Sequence, residues 1–137
     1  MNEHLLQRAV MLKQQSEEAE NQFDFVNRQI NELEQFSKGL KELEKEKEQE
    51  ILAPLGRGIY TKAKKNINEK LFVEVGAGVV VRKSPEETRE IIEGQLKKFD
   101  EARIQLITQL EVFRHEFGNL LKEVERIKKN NVVRKNI

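Results

Sequence analysis

Leu5, Leu12, Ala19, Val26, Leu33 and Leu40 recur at intervals of seven, and Ala9, Ser16, Phe23, Ile30 and Ser37 fall four positions after each of the first five. Alternating spacings of four and three are the a/d seam of a coiled coil, which predicts a long helix over residues 1–50. The register weakens at Glu44 and Lys47 in the run KELEKEKEQE. Opposite charges four apart can still support a helix there without burying a face.

The helical period stops at Ile51-Leu52-Ala53-Pro54-Leu55-Gly56, because proline drives the residue before it out of the α region and the following glycine turns readily. Beyond it, β-branched and aromatic residues cluster as Ile59-Tyr60-Thr61, Leu71-Phe72-Val73-Glu74-Val75 and Val79-Val80-Val81. Four short strands are predicted near 51–55, 58–64, 70–76 and 78–83. Gly56-Arg57-Gly58 and Gly76-Ala77-Gly78 lie at the joints, where Gly56, Gly58, Gly76 and Gly78 permit positive φ and close reversal, so the strands form two hairpins joined by KNINEK. Leu71, Val73 and Val75 point one way and Phe72 the other, as Val79 and Val81 do against Val80. Two hairpins alone cannot cover both faces. Assembly with other subunits is therefore expected through the hairpin residues Leu55, Ile59, Tyr60, Leu71, Phe72, Val73, Val75, Val79, Val80 and Val81.

Ser84-Pro85-Glu86-Glu87 reads as a helix start, with serine as N-cap, proline in the first helical position and Glu87 closing a capping box. A second seam follows through Ile92, Leu96, Phe99, Arg103, Leu106, Leu110, Phe113, Phe117, Leu120, Val124 and Ile127, with Arg103 its one charged member. The fold class expected is mainly α with a small β element: a long antiparallel coiled-coil helical hairpin, roughly 65–70 Å at about 1.5 Å per residue, with two central β-hairpins that join an oligomeric β-barrel. The whole, 1–137, is read as a single domain: helix 1–50, hairpins 51–83, helix 84–131 and tail 132–137. The two ends of the chain then meet at the tip away from the hairpins, bringing Leu5, Leu6, Val10 and Met11 near Val124, Ile127, Val132, Val133 and Ile137.

Composition agrees with elongation. Of 137 residues, 37% are apolar and 36% charged, too little core for a compact globule and suited to helices with a narrow seam and wet outer faces. Net charge is +1 but unevenly spread. Residues 1–50 carry seven basic and twelve acidic side chains (net −5), and residues 51–85 seven and two (net +5). The basic middle reads as solvated strand faces and an electrostatic fit to acidic partner subunits. Lys62, Lys64, Lys65 and Lys70, near Tyr60 and Phe72, match no nucleic-acid-reading module, nor do Lys128, Lys129, Arg134 and Lys135. No run of about 18 apolar residues predicts a membrane span, and the first residues lack the apolar core of an export signal.

Catalytic chemistry is not predicted. There is no cysteine, and His4 and His115 lie in different helices without metal-ligand spacing, so no metal site or cofactor is expected. Ser16, Ser37 and Ser84 lack a nucleophile-elbow context. The Gly-x-Gly sites lead from strand to strand, whereas phosphate cradles lead into a helix.

Helix, two hairpins, helix, with Pro54-Leu55-Gly56-x-Gly58-x-Tyr60 opening the β region and Val73-x-Val75-Gly76-x-Gly78-x-Val80-Val81 closing it, resembles the prefoldin alpha subunit family over nearly the whole chain. Val79 departs from the aromatic common in that family, and Arg82 from the acidic residue before the lysine. The resemblance implies a hetero-hexamer with prefoldin beta subunits, two alpha and four beta, whose alpha hairpins sit at the centre of a double β-barrel. It also implies six coiled-coil tentacles whose tips hold unfolded client proteins and pass them to a group II chaperonin, without nucleotide or other cofactor, in the cytoplasm. On that reading Leu6, Val10, Met11, Val132 and Val133 are the client-binding candidates. Two rival readings use the same features: a prefoldin-like homo-oligomer or filament, and a structural coiled-coil scaffold without client binding.

Overall fold

The computed structural model describes residues 2–45, 48–66 and 69–135. In chain order these form α1 (Asn2–Leu43), β1 (Glu48–Gly56), β2 (Ile59–Asn66), β3 (Leu71–Gly76), β4 (Val79–Lys83) and α2 (Pro85–Lys135). The class is as expected: two long helices with two small antiparallel β-hairpins between them in sequence. The chain divides into two compact units, a terminal one holding Met1–Arg28 with Phe99–Ile137 and a central one holding Gln29–Lys98.

The heptads predict the buried faces closely. Every seam position of α1 from Leu5 to Leu40 is buried or partly covered, and Leu12, Ala19, Val26, Ile30 and Leu40 are the most enclosed. On α2 the seam behaves alike except at Phe117, with Ile92, Leu106 and Leu120 deepest. Within the terminal unit the helices run antiparallel. Leu5 shares a groove with Val124 and Ile127, Leu12 with Phe113, and Val26 with Leu106. Arg103 is only partly covered and pairs with Asp100 one turn away on its own helix, so its charge stays off the apolar residues of the seam. Within the central unit Arg89 Nε lies 3.0 Å from Glu44 Oε1, and neither atom makes a well-aligned hydrogen bond.

The first helix stops at Leu43 rather than continuing to residue 50, and β1 begins at Glu48. The charges that could have supported more helix find partners across the hairpin. Lys62 Nζ lies 3.7 Å from Glu50 Oε1 and Lys64 Nζ 3.7 Å from Glu48 Oε1. Gln49 Nε2 donates to the Glu42 carbonyl at 3.0 Å, satisfying one of the acceptors left open in the last helical turn. Residues 46 and 47 lie outside the described residues, as do 67 and 68 in the KNINEK connector. Strands β2 and β4 start one residue later than predicted because Gly58 and Gly78 belong to the turns. At the other end α2 continues through Lys135, where a tail from 132 was expected, since no glycine or proline intervenes to stop it; residues 136 and 137 lie outside the described residues.

The start of α2 is built as its sequence predicts. The Glu87 amide donates to Ser84 Oγ at 3.1 Å, and Thr88 Oγ1 donates to the Ser84 carbonyl at 2.9 Å. Hydrogen bonding from the Ser84 side chain, then from its backbone amide, holds the Glu87 carboxyl below the ordinary glutamate range, and the Lys83 ammonium 3.6 Å away adds to this. Among the described residues, no helix is long and apolar enough to cross a membrane.

Two outcomes follow from these elements. A carboxyl with a lowered folded pKa contributes stability that is complete above the unfolded value and is lost as pH falls through the folded one. Helix unfolding followed from pH 7 into the acid range is therefore expected to lose an increment that the Glu87→Gln variant lacks. Gly39 and Gly94 lie inside helices with open space where a Cβ would project. Gly39→Ala and Gly94→Ala should each stabilise the protein by about 1 kcal/mol, measured by denaturant unfolding.

Candidate interaction surfaces

The two hairpins of the central unit share one construction. In the first, Gly56 pairs with Ile59 and Pro54 with Tyr60, which leaves Leu55 as the extra residue of a bulge. In the second, Gly76 pairs with Val79 and Glu74 with Val80, leaving Val75 in the same position. The turn pairs Arg57-Gly58 and Ala77-Gly78 have positive φ at both residues, with Arg57 at 53° and Ala77 at 49°. Positive φ at both central residues matches the hairpin turn whose twist suits the flanking strands. The preceding Gly56 and Gly76, at 118° and 131°, occupy a region that side chains disfavour. The glycine pattern therefore points to the turns correctly, while the strained Arg57 and Ala77 are not visible from glycine positions alone.

Most of the predicted assembly residues stand open. Leu55 is 69% exposed and Phe72 70%, and Ile59, Tyr60, Val75, Val79 and Val80 are exposed as well. Leu71, Val73 and Val81 are partly covered, so the second hairpin has one sheltered face and one open face carrying Phe72 and Val80. Leu52 joins the exposed set, although its place in the Pro54 break concealed it. Arg82, directly across from Phe72, sets its guanidinium 5.7 Å from the ring centroid. The departure noted at this position thus has a structural role as a cation–π contact. Among the described residues each sheet has two strands, so every strand keeps one edge unpaired there. Three lysines of this region are engaged locally: Lys62 and Lys64 with glutamates, and Lys65 donating to the carbonyls of Asn66 and Glu69, both at 3.1 Å.

The second surface belongs to the terminal unit. Leu6 is 67% exposed, and Val10, Met11 and Val132 are exposed too, whereas the Val133 side chain lies outside the described residues. Of these, Leu6 lines an apolar groove of about 290 Å³ between the helices. Its other walls include Phe117 and Leu121, with Lys128 and Asn131 at one end. Leu121, 51% exposed, is not legible from the heptads, because it sits beside the seam residue Leu120. Phe117 lies on the predicted seam, yet 40% of it stays exposed; the small side chain of Ala9 lines the same groove and leaves the ring unenclosed. His4 and His115 are exposed, and among the described residues no group of three or more potential metal-binding side chains converges.

Residues 12–130 match the family model for Prefoldin, described as prefoldin subunit. The chain belongs to the prefoldin family. It is 33% identical over 84 residues to prefoldin subunit alpha 2 of Thermococcus kodakarensis, covering 61% of this chain and 59% of that protein. Against prefoldin subunit alpha of Methanobrevibacter smithii it is 24% identical over 123 residues, 90% of this chain and 84% of the relative. Prefoldin subunit alpha of Methanopyrus kandleri is 35% identical over 75 residues, covering 55% of this chain and 46% of the relative. The matched stretch thus spans less than two thirds of the Thermococcus and Methanopyrus proteins. In three dimensions the chain resembles filamentous PFD from Methanocaldococcus jannaschii, seen by cryo-EM, with a TM-score of 0.70 and 22% identity over 90% of this chain and 99% of that one. That likeness is one of fold, over nine tenths of the chain.

The turn geometry sets a sharp expectation for this prefoldin-type chain. Gly76→Ala should destabilise the second hairpin by about 1–3 kcal/mol, because alanine must adopt a φ that only glycine tolerates. Ala77→Asn should do the reverse by about 1 kcal/mol, since asparagine accepts the left-handed region. Amide exchange of the β3 and β4 residues separates the two outcomes.

Proposed function

We propose that this chain is an alpha-type prefoldin subunit that assembles through its hairpins with other prefoldin subunits and captures unfolded proteins at the ends of its helices. The observation that carries the assembly half is the hairpin pair: open strand edges and exposed Leu55, Tyr60, Phe72, Val75, Val79 and Val80, more apolar surface than two-stranded sheets can bury alone. Strand addition from neighbouring subunits would satisfy the edges and cover the faces in one step. Beta-type subunits in a hexamer of two alpha and four beta chains are the partners that the alpha-subunit relatives favour.

The capture half is supported by the apolar surface of the terminal unit. Leu6, Val10, Met11 and Val132 are exposed where a folded protein gains nothing by exposing them. Half-burying each against a client contributes about 1 kcal/mol, and several subunits acting together multiply weak contacts into useful avidity. Met11 suits varied partners through its flexible thioether. Transfer to a group II chaperonin in an archaeal or eukaryotic cytoplasm completes the proposal. No bond is made or broken in it, and no nucleotide is needed.

A homo-assembly is the second reading, favoured by the likeness to the filamentous Methanocaldococcus protein, since identical hairpins can also complete one another. Native mass spectrometry of the chain, alone and with a beta-type prefoldin subunit from the same source, separates the two. A mixed hexamer with two copies of this chain is expected; large homo-assemblies that ignore the partner would favour the filament. Replacing Leu6, Val10, Met11, Val132 and Val133 together by serine is expected to abolish suppression of client aggregation while leaving the assembled mass unchanged. Full activity in that variant would overturn the capture assignment.

A further inference from the structure

The apolar groove of the terminal unit is not electrically neutral, and its charge is local. Of the described side chains, those of residues 117–132, which supply one wall and its surroundings, include four basic and two acidic, and those of residues 3–13 two and one, so this end is net +3. The other residues of the same unit, 14–28 and 99–116, carry three basic and eight acidic side chains, net −5. Lys128 is itself a lining residue of the groove, next to Val124 and Ile127. Glu123, one of the two acids of this stretch, lies 4.0 Å from Arg126 and is partly offset by it.

We propose that this groove is a docking site selective for unfolded segments in which apolar anchors are flanked by aspartate or glutamate, with Leu6, Phe117 and Leu121 receiving the anchors and Lys128 and its basic neighbours the flanks. The proposal rests on the capture reading above and adds its selectivity. The apolar walls provide contact area that does not distinguish one hydrophobic segment from another. The surrounding charge does distinguish them. Within a Debye length of about 8 Å at physiological salt, a net positive rim attracts acidic flanks, repels basic ones and raises the encounter rate of the former. The acidic stretches of the same helices repel acidic segments, so productive docking concentrates at the basic end.

The test uses two fluorescent peptides with one shared apolar core, one flanked by glutamates and the other by lysines, titrated against the assembled protein by anisotropy. The glutamate-flanked peptide is expected to bind about tenfold more tightly at low salt. That ratio should approach unity near 1 M salt, where the Debye length falls to about 3 Å. The Lys128→Glu, Lys129→Glu double variant should erase or invert the preference, and Leu121→Ser should weaken both peptides. Equal affinities of the two peptides for the native protein would overturn the selectivity and leave client capture standing. Unchanged binding of the glutamate peptide to the Leu121→Ser variant would also overturn it, by making the attraction one of charge without the groove. If neither peptide binds, the docking site fails, and suppression of client aggregation by the native protein then decides whether capture fails with it.

Discussion

Two narrow apolar seams, each one side of a long helix, hold the helical part of this protein together, and their narrowness shapes the rest. A coiled-coil seam buries two positions in seven and leaves the others to water, which is why a chain with almost equal apolar and charged fractions can fold at all. Among the described residues such seams enclose no side chain completely, Leu12, Ala19 and Leu40 included. Seam quality also varies along the chain: Leu12, Val26, Leu106 and Leu120 are enclosed, while Ala9 is too small to close over Phe117. A local packing deficit of this kind is how a coiled coil can present apolar surface without unfolding.

The hairpins meet the opposite constraint. A two-stranded sheet has no interior strand, so every residue lies on an edge and each face depends on something else for cover. Both hairpins are nonetheless well specified: positive-φ turns, a bulge at the same relative position, and cross-strand pairs such as Phe72 with Arg82 fix their register. Geometry this strict combined with this much exposure supports the proposal that the hairpins pair between subunits, where the positive-φ turns at Arg57 and Ala77 would keep the strand edges in register.

Legibility in the sequence followed the strength of the local physics. Heptads at Leu5–Leu40 and Ile92–Ile127, the Ser84 cap and the two Gly-x-Gly turns are local signals, and each appears in the fold where it was read. The end of α1 was misplaced because KELEKEKEQE satisfies the charge spacing of a helix equally well. The strand is set by backbone pairing of Glu48–Glu50 with Lys64–Asn66, more than ten residues away, and no local pattern records a cross-strand partner. The groove was half legible for a similar reason. Exposed Leu6 is evident beside the seam, but Leu121 is visible only once α2 is set against α1, and Phe117 looks like core until the residue facing it is known.

Charge partition along the helices bears on a problem that any exposed apolar surface creates. Grooves on identical copies are attracted to one another as readily as to a client, and an assembly that places several copies together raises their local concentration. A neutral rim would leave that self-association unopposed. With the described side chains of this end at net +3, two copies meeting groove to groove bring like charges together, a penalty absent when the incoming segment is acidic or neutral. On the proposed capture reading the basic rim would have two consequences from one cause: selection among clients, and separation of the capturing surfaces. Both weaken together as salt rises, which ties the selectivity of the groove to the solubility of the assembly.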